Sequence, residues 1–395
     1  MLELLLDADL YAPQYVGRRN LLVGGGRVLW IGVDEPQMPE ELDVAVTDLG
    51  GARLIPGLID AHAHLTGGGG EAGYASRVPP MRLTHFTLGG VTSAVGVLGT
   101  DDLTRTTAQL VATARAFEEE GLSAWCYTGG YHLPPTTLTG SVRGDIVHID
   151  RVIGFGELAL SDHRSSQPTL EEVLRIASEC HVAGLMTGKA GVCHVHMGDG
   201  VRGFELIRRA LDVSELPARV WHPTHVNRRR GLFDEALELA ERGVTLDITA
   251  FPVAEGEDAY SAAEALERFL EADLDPTRVT VSSDGGGCLP HFDADGRISS
   301  YDVGSPLALA ETIAELVARG QALEDVLPAF TSNVAHFLRL PRKGVIAPGA
   351  DADLVVLDAQ QRVRDVLCRG VWMVRGARPL VRGRFETSDG PGAAT

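Results

Sequence analysis

Cysteine is scarce in this chain of 395 residues: Cys126, Cys180, Cys193, Cys288 and Cys368 are all there is, odd in number and with no CxxC pair. This argues against a disulfide framework and suits a reducing compartment. Positive charge is also short, with 35 Lys and Arg against 54 Asp and Glu and a formal net charge of -19. A surface without a cationic face releases no counterions from nucleic acid and gains nothing at an anionic membrane, so neither is expected as a partner. Small molecules are the expected ligands. The opening MLELLLDADLYAP lacks a basic segment and sets Glu3, Asp7 and Asp9 among its leucines, which does not read as a signal peptide. No apolar run reaches the roughly 18 residues that a bilayer span needs. A cytoplasmic protein is expected.

What the chain does have is 44% hydrophobic residues, ample for a core, in two textures. Residues 1–53 (LELLLDADLYAP, RNLLVGGGRVLWIG, DVAVTDLGGARLIPG) and the C-terminal part (ADLVVLD, VRDVLCRGVWMVRG, RPLVRGRFE) show short apolar runs broken by turn residues, the spacing of small antiparallel strands. The two ends can therefore pair into one small β domain. Between about 54 and 341, β-branched runs alternate with amphipathic stretches such as LTRTTAQLVATARAFEEEG, TLEEVLRIASECHVAG, LFDEALELAERG and AAEALERFLEA. Eight such strands predict a (β/α)8 TIM-type barrel rather than an open doubly wound sheet. In that fold the reacting groups gather at the C-terminal strand ends.

Those ends carry a particular set of side chains. The first ends in Asp60-Ala-His62-Ala-His64, the fourth holds Glu157 within VIGFGELAL, the fifth ends in His194-Val-His196, the sixth reaches His225 and the eighth reaches Asp284. Imidazoles two residues apart on a strand point the same way, so His62 and His64 can grip one cation. Singly, each of these reads as a hydrogen-bonded core residue or a cap. Four histidines and two carboxylates from five strand ends match the ligand chemistry of a two-metal hydrolytic site.

The motif DAHAH followed by later single His, single His and Asp resembles the amidohydrolase superfamily. Within it, HLTGGGGEAG (64–73), VGVLGTD (95–101), YTGGYHLP (127–134), SDHR (161–164), HMGDG (196–200), PTHVNRR (223–229) and SSDGGG (282–287) resemble the isoaspartyl (β-aspartyl) dipeptidases along nearly the whole chain. The resemblance implies a barrel (54–341) with a β-sandwich built from 1–53 and 342–395. It implies two divalent cations per chain, with Zn²⁺ the expected ion: His62, His64 and Asp284 on the more buried one, His196 and His225 on the more exposed one. It further implies hydrolysis of β-aspartyl dipeptides through a metal-bridged hydroxide, with Asp284 moving the proton and Tyr131 donating to the oxyanion. Glu71 would hold the substrate ammonium, Arg164 and Arg228 its carboxylates, with Thr100 and Cys288 as further contacts; the family commonly has serine where Cys288 stands. A homo-oligomer is expected on the same ground.

One departure stands out. The family bridges its metals with a carboxylated lysine on strand four, and this sequence has Glu157 there. A glutamate offers the same bidentate anionic oxygens on a shorter stem. The other reading of Glu157 is a protonated carboxyl bonded within the barrel. Lys189 lies just before strand five, on the wrong side to bridge, and reads as structural. His132, His163 and His194 read as packing or supporting groups. Rival functions are another activity of the superfamily, a cyclic amidase or an N-acyl amino acid hydrolase, or a metal-free binding or assembly protein.

Overall fold

Eight strands follow one another through the middle of the chain: β1 (Leu58–Ala63), β2 (Val91–Gly96), β3 (Ser123–Thr128), β4 (Val152–Leu160), β5 (Val192–Met197), β6 (Trp221–Thr224), β7 (Leu246–Thr249) and β8 (Val279–Ser282). The computed structural model describes residues 2–39, 41–292 and 298–387. Strands β1 to β6 pair in parallel in chain order, and β7 pairs in parallel with β8. Both remaining seams are bridged. Between β6 and β7 the Val226 N–H donates to the Asp247 carbonyl at 3.4 Å. Between β8 and β1 the His64 N–H donates to the Gly285 carbonyl at 2.7 Å, and the Ser283 N–H and hydroxyl donate to the Asp60 carboxylate at 3.1 and 2.5 Å. The sheet thus curls into a barrel.

The physical reason these segments are strands is visible in their burial. Every residue of β4 is buried, as a barrel strand covered by side chains inside and by helices outside must be, and such strands read as continuous apolar runs. The covering helices include Thr107–Glu120, Leu170–Thr187, Arg230–Glu241 and Ala262–Glu271, the four that the periodicity picks out. The first begins four residues later than its pattern suggests, because the Thr106 hydroxyl accepts from the Gln109 N–H and caps it there. Thr169 and Glu172 form a reciprocal capping box at the start of the second.

The two ends of the chain do combine. Strands at Leu2–Tyr11, Tyr15–Gly24, Arg27–Gly32, Val44–Asp48 and Arg53–Pro56 join those at Leu354–Leu357, Val363–Cys368, Val371–Arg375 and Arg378–Pro379 in one nine-stranded sheet, with Arg53–Pro56 pairing antiparallel to Leu354–Leu357 at the junction. The expectation of antiparallel strands holds only in part: Leu2–Tyr11 runs parallel to both Val44–Asp48 and Arg53–Pro56. Turn chemistry reports hairpins, and the parallel pairs arise where the chain crosses back over the sheet. No helix among the described residues is long and apolar enough to cross a membrane.

A buried lysine ties this sheet to the barrel. Lys343 Nζ donates to Asp353 at 2.6 Å and to the Ser123 hydroxyl on β3 at 2.7 Å, with Asp351 at 3.0 Å. Replacing Lys343 with methionine would strand a buried Asp353 carboxylate, and losing one partner of a buried pair costs about 3 kcal/mol. The expected result is a lower denaturant midpoint with an unchanged slope, followed by circular dichroism; a midpoint equal to the parent's would show that the pair does not stabilise the fold.

Candidate metal centre

At the C-terminal mouth of the barrel, His62 from β1, His64 just beyond it, Glu157 from β4, His196 from β5, His225 just past β6 and Asp284 just past β8 converge. The Asp284 Oδ1 lies 3.3 Å from His62 Nε2 and 3.1 Å from His64 Nε2. Glu157 sits between the two halves of the cluster. Its Oε1 is 3.5 Å from His64 Nε2, while its Oε2 is 3.7 Å from His62 Nε2, 3.5 Å from His225 Nε2 and 3.2 Å from His196 Nδ1. All six residues named from the sequence are therefore brought together.

The chemistry of this donor set fits divalent cations. His62 Nε2 and Asp284 Oδ1 are buried, face each other, and have no hydrogen-bond partner among the described residues. Two such lone-pair donors at contact distance are costly unless something positive lies between them. His62, His64 and Asp284 form one group whose ligand atoms can meet at a point, and His62, Glu157 and His225 form another. Burial lowers the pKa of His62 and His225 and brings His196 down to about 3, which keeps the imidazoles neutral and ligand-ready. Glu157 is pushed well above the usual carboxylate range by burial and by the nearby Asp284 charge. Burial pulls Asp284 the same way, but hydrogen bonds from the imidazoles of His62 and His64, when those nitrogens carry the proton, hold it well below that range.

The backbone is strained at two of these positions. His225 and Asp284 adopt positive φ values of 62° and 51°, which an L-residue adopts only at some cost and which persist where surrounding structure imposes them. Gly99 leaves room for the cluster: a Cβ there would lie 2.8 Å from His64 Cε1.

Three of the four imidazoles, His62, His196 and His225, are held from behind; His64 Nδ1 is buried with no hydrogen-bond partner among the described residues. His196 Nε2 lies 3.0 Å from Asp162 Oδ2, and Asp162 also accepts from Arg164 Nε and Nη2 at 3.0 and 2.8 Å. His62 Nδ1 is 2.7 Å from His194 Nε2, His194 Nδ1 is 2.9 Å from His222 Nδ1, and His222 Nε2 is 3.0 Å from the Thr280 hydroxyl. His225 Nδ1 is 2.8 Å from the Thr249 hydroxyl. Such outer partners fix which ring nitrogen faces a metal.

The substrate-facing residues gather at the rim. Arg164 Nη1 pairs with Glu71 at 3.3 Å, and its Nη2 reaches within 3.4 Å of His196 Nε2. Arg228 Nη1 lies 3.3 Å from the same nitrogen and donates to the Met197 carbonyl at 2.7 Å, while its Nε meets Asp199 at 2.9 Å. The Tyr131 hydroxyl, buried under the Arg164 guanidinium, lies 2.8 Å from His196 Nδ1, and burial raises its pKa well above that of a free phenol. Glu71 and Thr100 line one cavity of about 210 Å³ with Arg77 and Asp101. Cys288, half-buried, has its thiol pushed up to about 11 by burial and the Glu71 and Asp284 charges, so it stays a neutral thiol.

The glycine run 67–70 is not a loose surface loop. A Cβ on Gly67 would lie 2.0 Å from the Val78 carbonyl oxygen. The buried Arg105 guanidinium donates to the carbonyls of Thr66, Gly69 and Val78 and to Asp101 Oδ2, clamping the run in place. His132 bridges Asp102 and the Arg164 carbonyl at 3.1 Å each, His163 is exposed, and Lys189 gives its ammonium to the carbonyls of Ile146, Ile149 and Val152 at 2.6 to 3.1 Å, far from any bridging role. Sequence reasoning passed over Asp162, Arg105, His222 and Asp199, although Asp162 and Asp199 lie inside two of the motifs quoted above.

Comparison with known proteins gives a family, a fold and named relatives. A model of the amidohydrolase family matches residues 53–373. A solved β-aspartyl dipeptidase from Fervidobacterium islandicum AW-1, in complex with β-Asp-Leu, is 39% identical, with a TM-score of 0.90 over 96% of this chain and 97% of that one. An imidazolonepropionase from Salinispora arenicola is 27% identical over 91% of each chain. A dihydropyrimidinase from Brevibacillus agri, at 17% identity and a TM-score of 0.65 over 97% of each chain, shares the fold.

Proposed function

Since the chain belongs to the amidohydrolase family, we propose that it is a metal-dependent dipeptidase that hydrolyses the β-aspartyl amide bond of isoaspartyl dipeptides. The observation that carries this reading is the charge set at the rim: the Glu71 carboxylate and two guanidiniums, Arg164 and Arg228, both within 3.4 Å of His196 and each braced by an aspartate, Asp162 or Asp199. An isoaspartyl dipeptide presents one ammonium and two carboxylates, the complementary set. The 39% identity to a β-aspartyl dipeptidase supports the same substrate class. We also read the terminal sheet, from 1–53 with 342–395, as the accessory β-sandwich domain, and 54–341 as the catalytic barrel.

His62, His64 and Asp284 would hold one cation and His196 with His225 the other, Zn²⁺ in our reading, with Glu157 serving both. Divalent cations bound there supply Lewis acidity, making water nucleophilic near neutral pH and polarising a carbonyl. Asp284 takes the proton of the attacking water and passes it to the leaving amine, as a carboxylate held ionised among imidazoles is able to do. Tyr131 keeps its phenol hydrogen at working pH; once His196 Nδ1 serves as a ligand, that hydrogen is free to donate to the oxyanion. Glu71 fixes the ammonium, Arg164 and Arg228 fix the carboxylates, and Thr100 and Cys288 complete the lining. Cys288 donates more weakly than a serine would, which shifts the preference among leaving residues.

Incubation with β-Asp-Leu, α-Asp-Leu and a cyclic amide such as imidazolonepropionate, which carries a carboxylate and no ammonium, is the direct test. Only β-Asp-Leu should be cleaved, by amine release. Cleavage of the α-linked peptide alone would end the specificity reading, and ring opening alone would move the chain to the activity named for its 27% relatives.

A further inference from the structure

We infer that Asp247, a buried carboxylate on β7, is a positioning residue for both halves of the metal centre, because two separate hydrogen-bond chains start on the outer nitrogens of His62 and His225 and end on its two oxygens. The inference rests on the reading of those histidines as metal ligands and goes beyond it, since β7 supplies no ligand of its own.

The first chain runs through the four distances from His62 Nδ1 to Asp247 Oδ1: 2.7 Å to His194, 2.9 Å to His222, 3.0 Å to Thr280, and 2.6 Å from the Thr280 hydroxyl to the carboxylate. A neutral imidazole carries one hydrogen, so the direction of every link follows from one choice. If His62 offers the lone pair of Nε2 to a cation, its hydrogen is on Nδ1 and is donated to His194 Nε2. His194 then donates from Nδ1 to His222 Nδ1, and His222 donates from Nε2 to the Thr280 oxygen. The Thr280 hydrogen goes to Asp247 rather than to the Leu246 carbonyl, which lies farther off at 3.3 Å. The chain closes on a group that accepts.

The second chain is shorter. His225 Nδ1 donates to Thr249 Oγ1 at 2.8 Å, Thr249 to Thr224 Oγ1 at 3.4 Å, and Thr224 to Asp247 Oδ2 at 2.7 Å. Ser282 adds a third hydroxyl, 2.5 Å from Oδ2. All of these side chains are buried, so no water competes for the links. A polar thread of this length through an apolar barrel is expensive unless every member is satisfied, and here every member is, save the His62 Nε2 that faces the proposed cation.

Release of Zn²⁺ from the loaded full-length protein to an excess of chromophoric chelator tests this without any substrate. The parent should release its ions in two phases. Thr280→Val, which keeps shape and removes the hydroxyl, should speed one phase about tenfold or more, and Thr249→Val the other, as loss of an outer partner typically does. Asp247→Asn should speed both, whereas Thr280→Ser and Thr249→Ser should behave as the parent. Parent-like release from both valine variants overturns the inference, as does a serine variant as fast as its valine counterpart, since that would reduce the threonines to packing. A parent that takes up no Zn²⁺ removes the metal reading and this inference together; a parent that binds Zn²⁺ beside unaffected valine variants removes the inference alone.

Discussion

Glu157→Ala is expected to lose more than about 100-fold in affinity for divalent cations, beyond what loss of an outer partner costs, and to show no measurable dipeptide hydrolysis. The reason is geometric. Among the described residues Glu157 is the one anion that faces imidazoles from β1, β5 and β6 at once, so its removal would leave four imidazoles and the Asp284 carboxylate to hold the cations proposed there. A carboxylate that burial holds well above its usual pKa is one whose ionised form awaits positive charge. A second expectation follows from the lysines. The sequence has only two, and both are spoken for: Lys189 caps three backbone carbonyls and Lys343 pairs with Asp353. No lysine can be carboxylated at the centre, so activity in buffer freed of dissolved CO2 should match that in bicarbonate. Metal analysis alongside the two assays decides it; an alanine variant with parent-like metal content, or a parent stimulated by bicarbonate, would rule out a glutamate bridge.

Asp284→Asn should lower kcat by about a thousandfold on β-Asp-Leu, within the range by which a positioned base contributes, while most of the bound metal stays. Asparagine is the informative replacement because Asp284 sits at a φ of 51°, a left-handed conformation that Asn tolerates about as well as Asp. The backbone therefore stays where it is, and the amide keeps an oxygen near His62 and His64 while losing the ability to take a proton. Steady-state rates with metal content measured on the same samples make the comparison. Turnover within tenfold of the parent would remove Asp284 from proton transfer.

How much of this was legible beforehand depended on whether a residue's partners lie close in sequence. The eight barrel strands could be read because strands buried on both faces are plain apolar runs, and the ligands because an imidazole at the end of such a run is conspicuous. Asp247 gives no comparable sign: VTLDITA reads as a strand with one polar break, and the hydroxyls that satisfy it come from Thr224, Thr280 and Ser282 on two other strands. Arg105 looked like part of a helix, whereas its guanidinium serves carbonyls up to 39 residues away. The parallel pairing of the first strand with Val44–Asp48 is likewise set by a crossing that no local turn signal announces.

The Arg105 clamp carries a consequence for altering selectivity. Because one guanidinium binds the segment leading to Glu71, the Val78 carbonyl and Asp101 beside Thr100, those pieces behave as a single prefabricated part of the substrate rim. Swapping the glycine run alone for that of a homologue would leave a buried cation facing the wrong carbonyls. A graft meant to retune which peptides enter must carry residues 64 to 105 together, keeping His64 and Gly99, which face the anion on β4.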